Sequence, residues 1–380
     1  MLLRFFPPAR GAVMALFFAA GFTYALWGVH VPVLKARFAF SDGALSLALF
    51  AVAGGALLAM GPLGRWIARV GSARACLVGG LCFAGSAAAL FWMPNPWWLA
   101  PALVAFGAAN SLFDVAMNAQ ASLLERQEGR PLMSRLHGLF SVGGLVGAVA
   151  GSAGLGVGLA PELVFALTGA AVVGLTLAGR PHFLAESAAP EASVHFPGLR
   201  GQLLALGGLA FIGLVAEGGM YDWTAVYLRD GLGVGQGSSG LGYAAFCLGM
   251  TLGRFSGDAV RGRWGAIRIL QGSGLLVALG IGLAVSIQGL GLAVAGFALA
   301  GLGCANIVPV LMSRGASLPG IAPAEAIAFI GRLAYLGLLL GPVFIGVTAD
   351  HAGLAWGLTL VGLGALVISL GAGRALRPGA

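Results

Sequence analysis

Charge is what this sequence has least of. Only 9% of its 380 residues are Asp, Glu, Lys or Arg, against roughly 25% in a soluble domain, so a water-facing surface cannot be built from it. Lysine is nearly missing: Lys35 is the single one and no GxxxxGK[ST] run exists, which excludes a P-loop nucleotide motor. No GxSxG or HExxH pattern occurs, so the chain is not read as an enzyme and no cofactor is expected. The four cysteines, Cys76, Cys82, Cys247 and Cys304, stand singly in apolar stretches without a CxxC pair, so neither a disulfide framework nor a metal site is implied. A net charge of +8 would suggest nucleic acid in a soluble protein, but here the basic residues fall in particular loops and nucleic-acid binding is not indicated.

What is abundant is apolar. Hydrophobic residues make up 59% of the chain and glycine contributes 65 residues, the composition of helices that span a bilayer and approach one another closely. About 20 apolar residues cross a hydrocarbon core, and that length predicts helices over 12–34, 43–64, 73–92, 97–124, 136–159 and 161–180. Six more follow over 202–228, 237–258, 265–286, 288–314, 322–347 and 352–373. The polar interval 181–200, with Pro181, Pro190 and Pro197, reads as a solvated linker between bundles at 1–180 and 201–380. The expected fold is all-α: twelve transmembrane helices in two six-helix bundles, with Trp92, Trp97 and Trp98 as interfacial anchors.

Loop charge gives the orientation. With a cytoplasmic N-terminus, 18 arginines, Arg254 among them, fall on the inner side and only Lys35, Arg37 and Arg229 on the outer. Both termini are therefore expected in the cytoplasm of a bacterial inner membrane. The halves also repeat. Gly107-Ala108-Ala109-Asn110 matches Gly303-Cys304-Ala305-Asn306, and Trp27 matches Trp223, at an offset of 196. Arg135-Leu136 with Gly144 matches Arg332-Leu333 with Gly341 at 197. Gly64-Arg65-Trp66 with Gly71 and Arg74 matches Gly253-Arg254-Phe255 with Gly265 and Arg268, given a five-residue insertion. An even, six-helix offset makes the repeats parallel.

Twelve spans, a six-plus-six repeat, a central linker and the Gly/Arg-rich loop of Gly64, Arg65, Arg69, Gly71 and Arg74 resemble the major facilitator superfamily along nearly the whole chain. Ala68 stands where the family usually has Asp, which removes the acidic partner of that loop's usual salt bridge. Tyr24, Trp27, Gly28, His30 and Pro32, with Glu217, Tyr221, Asp222 and Trp223, look most like the fucose-permease-like branch. The resemblance implies alternating access about a central cavity bordered by the first, fourth, seventh and tenth helices.

Ionisable groups in the hydrocarbon cost about 2.5–3.5 kcal/mol and so mark candidate sites. Asn110, Asp114 and Asn118 are spaced by four on one stripe of the fourth helix. Asp114, Glu217, Asp222 and His137 are the candidate proton-coupling residues. Tyr24, Trp27, His30, Asn110, Asn118, Tyr221, Asn306 and Tyr335 are the candidate substrate-binding residues, and the Gly64 to Arg74 loop the candidate gate. The expected function is secondary active transport of a small polar, sugar-like solute coupled to protons, by a monomer in the lipid bilayer. The alternatives are a proton-driven exporter of amphipathic compounds and a membrane receptor that transports nothing.

Overall fold

The computed structural model describes residues 8–130, 132–185, 201–319, 321 and 323–376. Most of the expected linker, residues 186–200, therefore lies outside the described residues, as do Arg4, Arg200 and Arg377. The first six spans are α1 (Pro8–Arg37), α2 (Asp42–Val70), α3 (Ser72–Ala89), α4 (Pro96–Glu128), α5 (Met133–Gly156) and α6 (Pro161–Gly179). Then come α7 (Gly201–Val226), a four-residue α8 (Gln236–Ser239), α9 (Leu241–Ser286), α10 (Leu290–Cys304), α11 (Ile307–Ala316), α12 (Pro323–Ala352) and α13 (Leu354–Leu376). Eleven helical stretches among the described residues are long and apolar enough to cross a membrane. The first part of α9, up to the non-helical Gly265, supplies the twelfth apolar segment.

Local chemistry explains the punctuation. Asn95 opens α4 by accepting from the Trp97 and Trp98 backbone N–H groups at 3.1 and 3.2 Å, with Pro96 at the first helical position. Gly129 closes it in the left-handed conformation. Trp92, Trp97 and Trp98 flank that turn and are exposed, as are Leu58 and Leu370 on helix faces elsewhere. The interior packs large side chains such as Trp27, Trp223 and Tyr243, with glycines where helices cross.

The chain forms two compact units, Met1–Ala39 with Ala48–Glu191, and Phe40–Leu47 with Ala192–Ala380. Residues 40–47 belong to the second because Ser41 Oγ donates to Asp350 Oδ2 at 3.2 Å and Ser46 lies against Gly346. Within the first unit α2 and α4 cross where Gly55 faces the Val104 carbonyl and Gly107 the Val52 carbonyl. Within the second, the same crossing recurs between α9 and α10, with Gly249 on the Ala298 carbonyl and Gly301 on the Phe246 carbonyl. A Cβ at any of these four would collide with backbone.

Those contacts fix the register of the repeat. Gly55 and Gly249 are 194 residues apart, as are Gly107 and Gly301, and so are the bend glycines Gly71 and Gly265, with φ of +84° and +76°. The α1/α5 crossing, Phe18 on Gly143 and Phe22 on Gly147, recurs in α7/α12 as Phe211 on Gly337 and Val215 on Gly341, offset by 193 and 194. The short identities at 196 and 197 are thus out of packing register, because Gly- and Ala-rich helices match one another at several alignments. No five-residue insertion is needed, and Arg254 lies opposite Met60 rather than Arg65. The span expected at 288–314 is also not continuous: Ala305 and Asn306 interrupt it between α10 and α11.

Candidate functional site

Each unit holds one cluster of polar side chains inside its membrane-spanning part. In the first, Asp114 lies roughly 27 Å from the start of α4 and roughly 21 Å from its end at 1.5 Å per residue, half-buried. One turn on, Asn118 Nδ2 donates to Asp114 Oδ1 at 3.1 Å and to the Asp114 carbonyl at 2.9 Å. Across on α5, His137 Nε2 meets Asn118 Oδ1 at 3.2 Å. An amide oxygen can only accept, so Nε2 is the protonated nitrogen of that contact. The Phe17 ring of α1 stands edge-on to His137 at 5.3 Å, and Ser141 Oγ donates back to the His137 carbonyl. The result is a chain from Asp114 through Asn118 to His137, tying α4 to α5. No cation pairs with Asp114 among the described residues, and Asn110, half-buried on the same stripe, has no hydrogen-bond partner among them.

The second cluster is ionic. Glu217 Oε1 of α7 accepts from Arg254 Nη2 of α9 at 3.1 Å and from the Tyr221 hydroxyl at 3.4 Å. Both charged side chains are about five-sixths buried, with 15% and 16% exposed. Tyr221 packs against Tyr243 and Phe246 at 5.3 and 5.1 Å. Arg254 is the residue that loop-charge counting missed. The signal was its place just after the apolar run Leu241–Gly253, some seven residues ahead of the basic cluster at Arg261 and Arg263.

The remaining candidates lie apart from these clusters. His30 is fully buried; its Nδ1 donates to the Leu26 carbonyl at 2.8 Å and its ring sits between Phe91 and Phe165 at 5.8 and 5.3 Å. Trp27 is packed on Phe106 at 5.6 Å, and Trp223 is fully buried too; neither indole N–H has a partner among the described residues. Asp222 is buried in α7 outside the Arg254 pair. Asn306 Nδ2 donates to the Gly253 carbonyl at 3.2 Å, so it braces the break between α10 and α11 against α9. Tyr24 and Tyr335 are half-buried on α1 and α12. The segment Gly64 to Arg74, expected as a gating loop, is helical except at Gly71, because α2 runs on to Val70. Gly64, Arg65 and Arg69 lie in α2 and Arg74 in α3, the three arginines are exposed, and Gly71 makes the turn. Among the described residues no cluster of His, Cys, Asp or Glu could hold a metal ion.

Spans this apolar, with their ionisable groups kept in protein-facing clusters, define a polytopic α-helical membrane protein built around intramembrane polar sites. A family model for the Major Facilitator Superfamily matches residues 12–331. The chain is 38% identical over 356 residues to an uncharacterized MFS-type transporter of Yersinia pestis, covering 94% of this chain and 93% of that one. It is 35% identical to the membrane protein MosC of Rhizobium meliloti, over 92% of this chain and 86% of MosC. Among solved structures, a mutant form of the nucleoside transporter NupG superposes with a TM-score of 0.77 at 13% identity, covering 96% of this chain and all of that one. A bacterial homolog of the lysosomal transporter Spinster, inward-facing and unoccupied, gives 0.73 at 16%, over 97% and 98%. The chain belongs to the major facilitator superfamily and is a membrane transporter.

Proposed function

We propose that the chain is a secondary active carrier of a small polar solute, working by alternating access and driven by a proton taken up and released at Asp114. The observation that carries this reading is the contrast in charge compensation. Glu217 is held by Arg254, so its charge has a fixed partner, while Asp114 is bonded only to a neutral amide. Among the described residues, a carboxyl group at that depth without a cation is one whose charge state answers to water access. Asp222, buried in α7 outside the Arg254 pair, is a second such carboxyl, but it lacks the bonded asparagine and histidine that surround Asp114. His137, at the far end of the same chain, is assigned as the cluster's second proton-coupling group, exchanging with water rather than through the Asn118 amide, which neither takes up nor releases a proton. Asn110 and Asn118 offer the solute hydrogen bonds beside the titrating group, with Tyr24 as a further polar contact. His30, Trp27 and Asn306 are assigned to packing in this reading, since His30 Nδ1 and Asn306 Nδ2 are bonded to backbone carbonyls and the Trp27 ring is packed on Phe106.

The rest of the reading follows the loop charges: a bacterial inner membrane, both termini cytoplasmic, residues 181–200 on the same side, and a single chain as the working unit. The Tyr24 to Pro32 and Glu217 to Trp223 segments support the fucose-permease-like branch. The test is uptake into proteoliposomes under an imposed pH gradient, with a solute found by thermal-shift screening. Asp114→Asn, nearly isosteric, is expected to fold, to keep solute exchange and to lose gradient-driven accumulation. Near wild-type accumulation by that variant would sink the assignment of Asp114.

A further inference from the structure

One corner of the six-helix unit is built twice and finished differently. In the first unit α3 starts at Ser72 directly after the bend at Gly71. Over that start lies Gln120 of α4, fully buried. Its Nε2 donates to Ser72 Oγ at 2.8 Å and to the Leu184 carbonyl at 2.9 Å, and its Oε1 accepts from Leu184 N–H at 2.8 Å. A side-chain amide thus pairs with a backbone amide just past α6, and the chain's own atoms seal the corner.

In the second unit, Gly265 repeats the bend and a new helical run starts at Ala266. At the same 194-residue offset, Arg314 stands where Gln120 stood. Among the described residues no bridging amide closes the space here, and the counterpart of Leu184, Pro378, lies outside them. Instead a cavity of about 550 Å³ opens, lined by Trp264, Gly265, Arg268, Gln271, Arg314 and the end of α13 at Leu376. The Nε of Arg314 is buried without a hydrogen-bond partner, and neither Arg268 nor Gln271 has one among the described residues. The first N–H groups of a helical run lack partners in their own helix, so the bend adds backbone donors to the side-chain ones. Donors and positive charge converge, and no carboxylate pairs with either arginine among the described residues.

We propose that this corner binds a phosphate-type oxyanion, supplied by the headgroup of an anionic phospholipid. The forked guanidinium donors of Arg268 and Arg314 suit phosphate oxygens, with the Gln271 amide beside them. Trp264, exposed at the rim, is the type of side chain that sits at headgroup level. The lipid source rests on the loop-charge orientation above, which turns this end of the bundle toward the anionic leaflet.

Native mass spectrometry of the purified chain tests it, with phosphatidylglycerol, phosphatidylcholine and millimolar inorganic phosphate as probes. The wild type is expected to retain phosphatidylglycerol in preference to phosphatidylcholine, and each arginine removed to weaken that retention on the order of fivefold. Arg268→Ala alone, at an exposed residue with no hydrogen-bond partner among the described residues, guards against a double variant that does not fold. Thermal stabilisation by inorganic phosphate that Arg268→Ala abolishes, without lipid preference, keeps the oxyanion site and assigns it to a soluble ligand. Equal retention of both lipids by wild type and Arg268→Ala, with no response to phosphate, overturns the proposal. Flux plays no part in this readout, so its failure leaves the transport reading standing.

Discussion

The two units share their packing and differ in their charge. Glycines that let backbones touch recur at one offset, so α2 on α4 and α9 on α10 meet through equivalent atoms. The polar groups do not recur: Asp114 has Val308 at the 194-residue offset, and Glu217 has Tyr24 at the 193-residue offset of the first helices. Arg254 likewise faces Met60 across the repeat. A close helix crossing tolerates only a small residue, so it is retained in both copies, whereas a buried charge serves one purpose and one copy suffices. Among the described residues the first unit therefore carries Asp114 without a cation, and the second a closed ion pair with Asp222 buried outside it.

The largest effect is expected where that pair is opened. Arg254→Met places the first unit's residue in the second and strands Glu217, which is expected to cost about 3–5 kcal/mol in detergent unfolding. Adding Glu217→Gln removes the stranded charge and should recover most of the loss. If the single variant unfolds like the wild type, the pair is not what holds α7 to α9. Next in size are the crossings. Gly107→Val and Gly301→Val drive a side chain into equivalent backbone, and each is expected to cost about 1–3 kcal/mol, by a similar amount. A large cost at one and none at the other would break the packing equivalence. Smallest is the corner: Gln120→Ala, which leaves the Leu184 amide unpaired, is expected to cost about 1–2 kcal/mol and to raise hydrogen exchange at residues 183–185. Arg314→Ala should stay within about 0.5 kcal/mol, having no such partner to lose. Equal costs at the two positions would erase the distinction between a sealed corner and an open one.

The sequence carried the spans, their number and the duplication, because hydropathy and helix length are properties of single segments. The stripe of Asn110, Asp114 and Asn118 was legible for the same reason, since a spacing of four fixes one helix face whatever its neighbours. What crosses between helices was not. His137 could be named as a candidate, but its contact with Asn118 depends on how α4 and α5 lie together. Arg254 was counted with the inner-side charges although the span expected at 237–258 contains it; the identities then set it against Arg65, whereas the glycine contacts set it opposite Met60, about five residues deeper, roughly 7.5 Å along the helix. Asn306 was set against Asn110 by the same identities, whereas at the packing offset Asn110 lies opposite Cys304, and Asn306 falls in a break that no hydropathy profile marks.

That break has a mechanical meaning. Helix α4 runs unbroken from Pro96 to Glu128, and near its end Glu125 Oε1 accepts from the N–H groups of Leu132 and Met133, which open α5. A twist applied at Asp114 is thus carried as torque along a rigid shaft and handed to the base of the next helix. In the second unit the shaft bends at Ala305 and Asn306, and the Asn306 amide ties that bend to the Gly253 carbonyl of α9. One unit is geared to carry a local event along its full length, and the other pins the same depth to its neighbour.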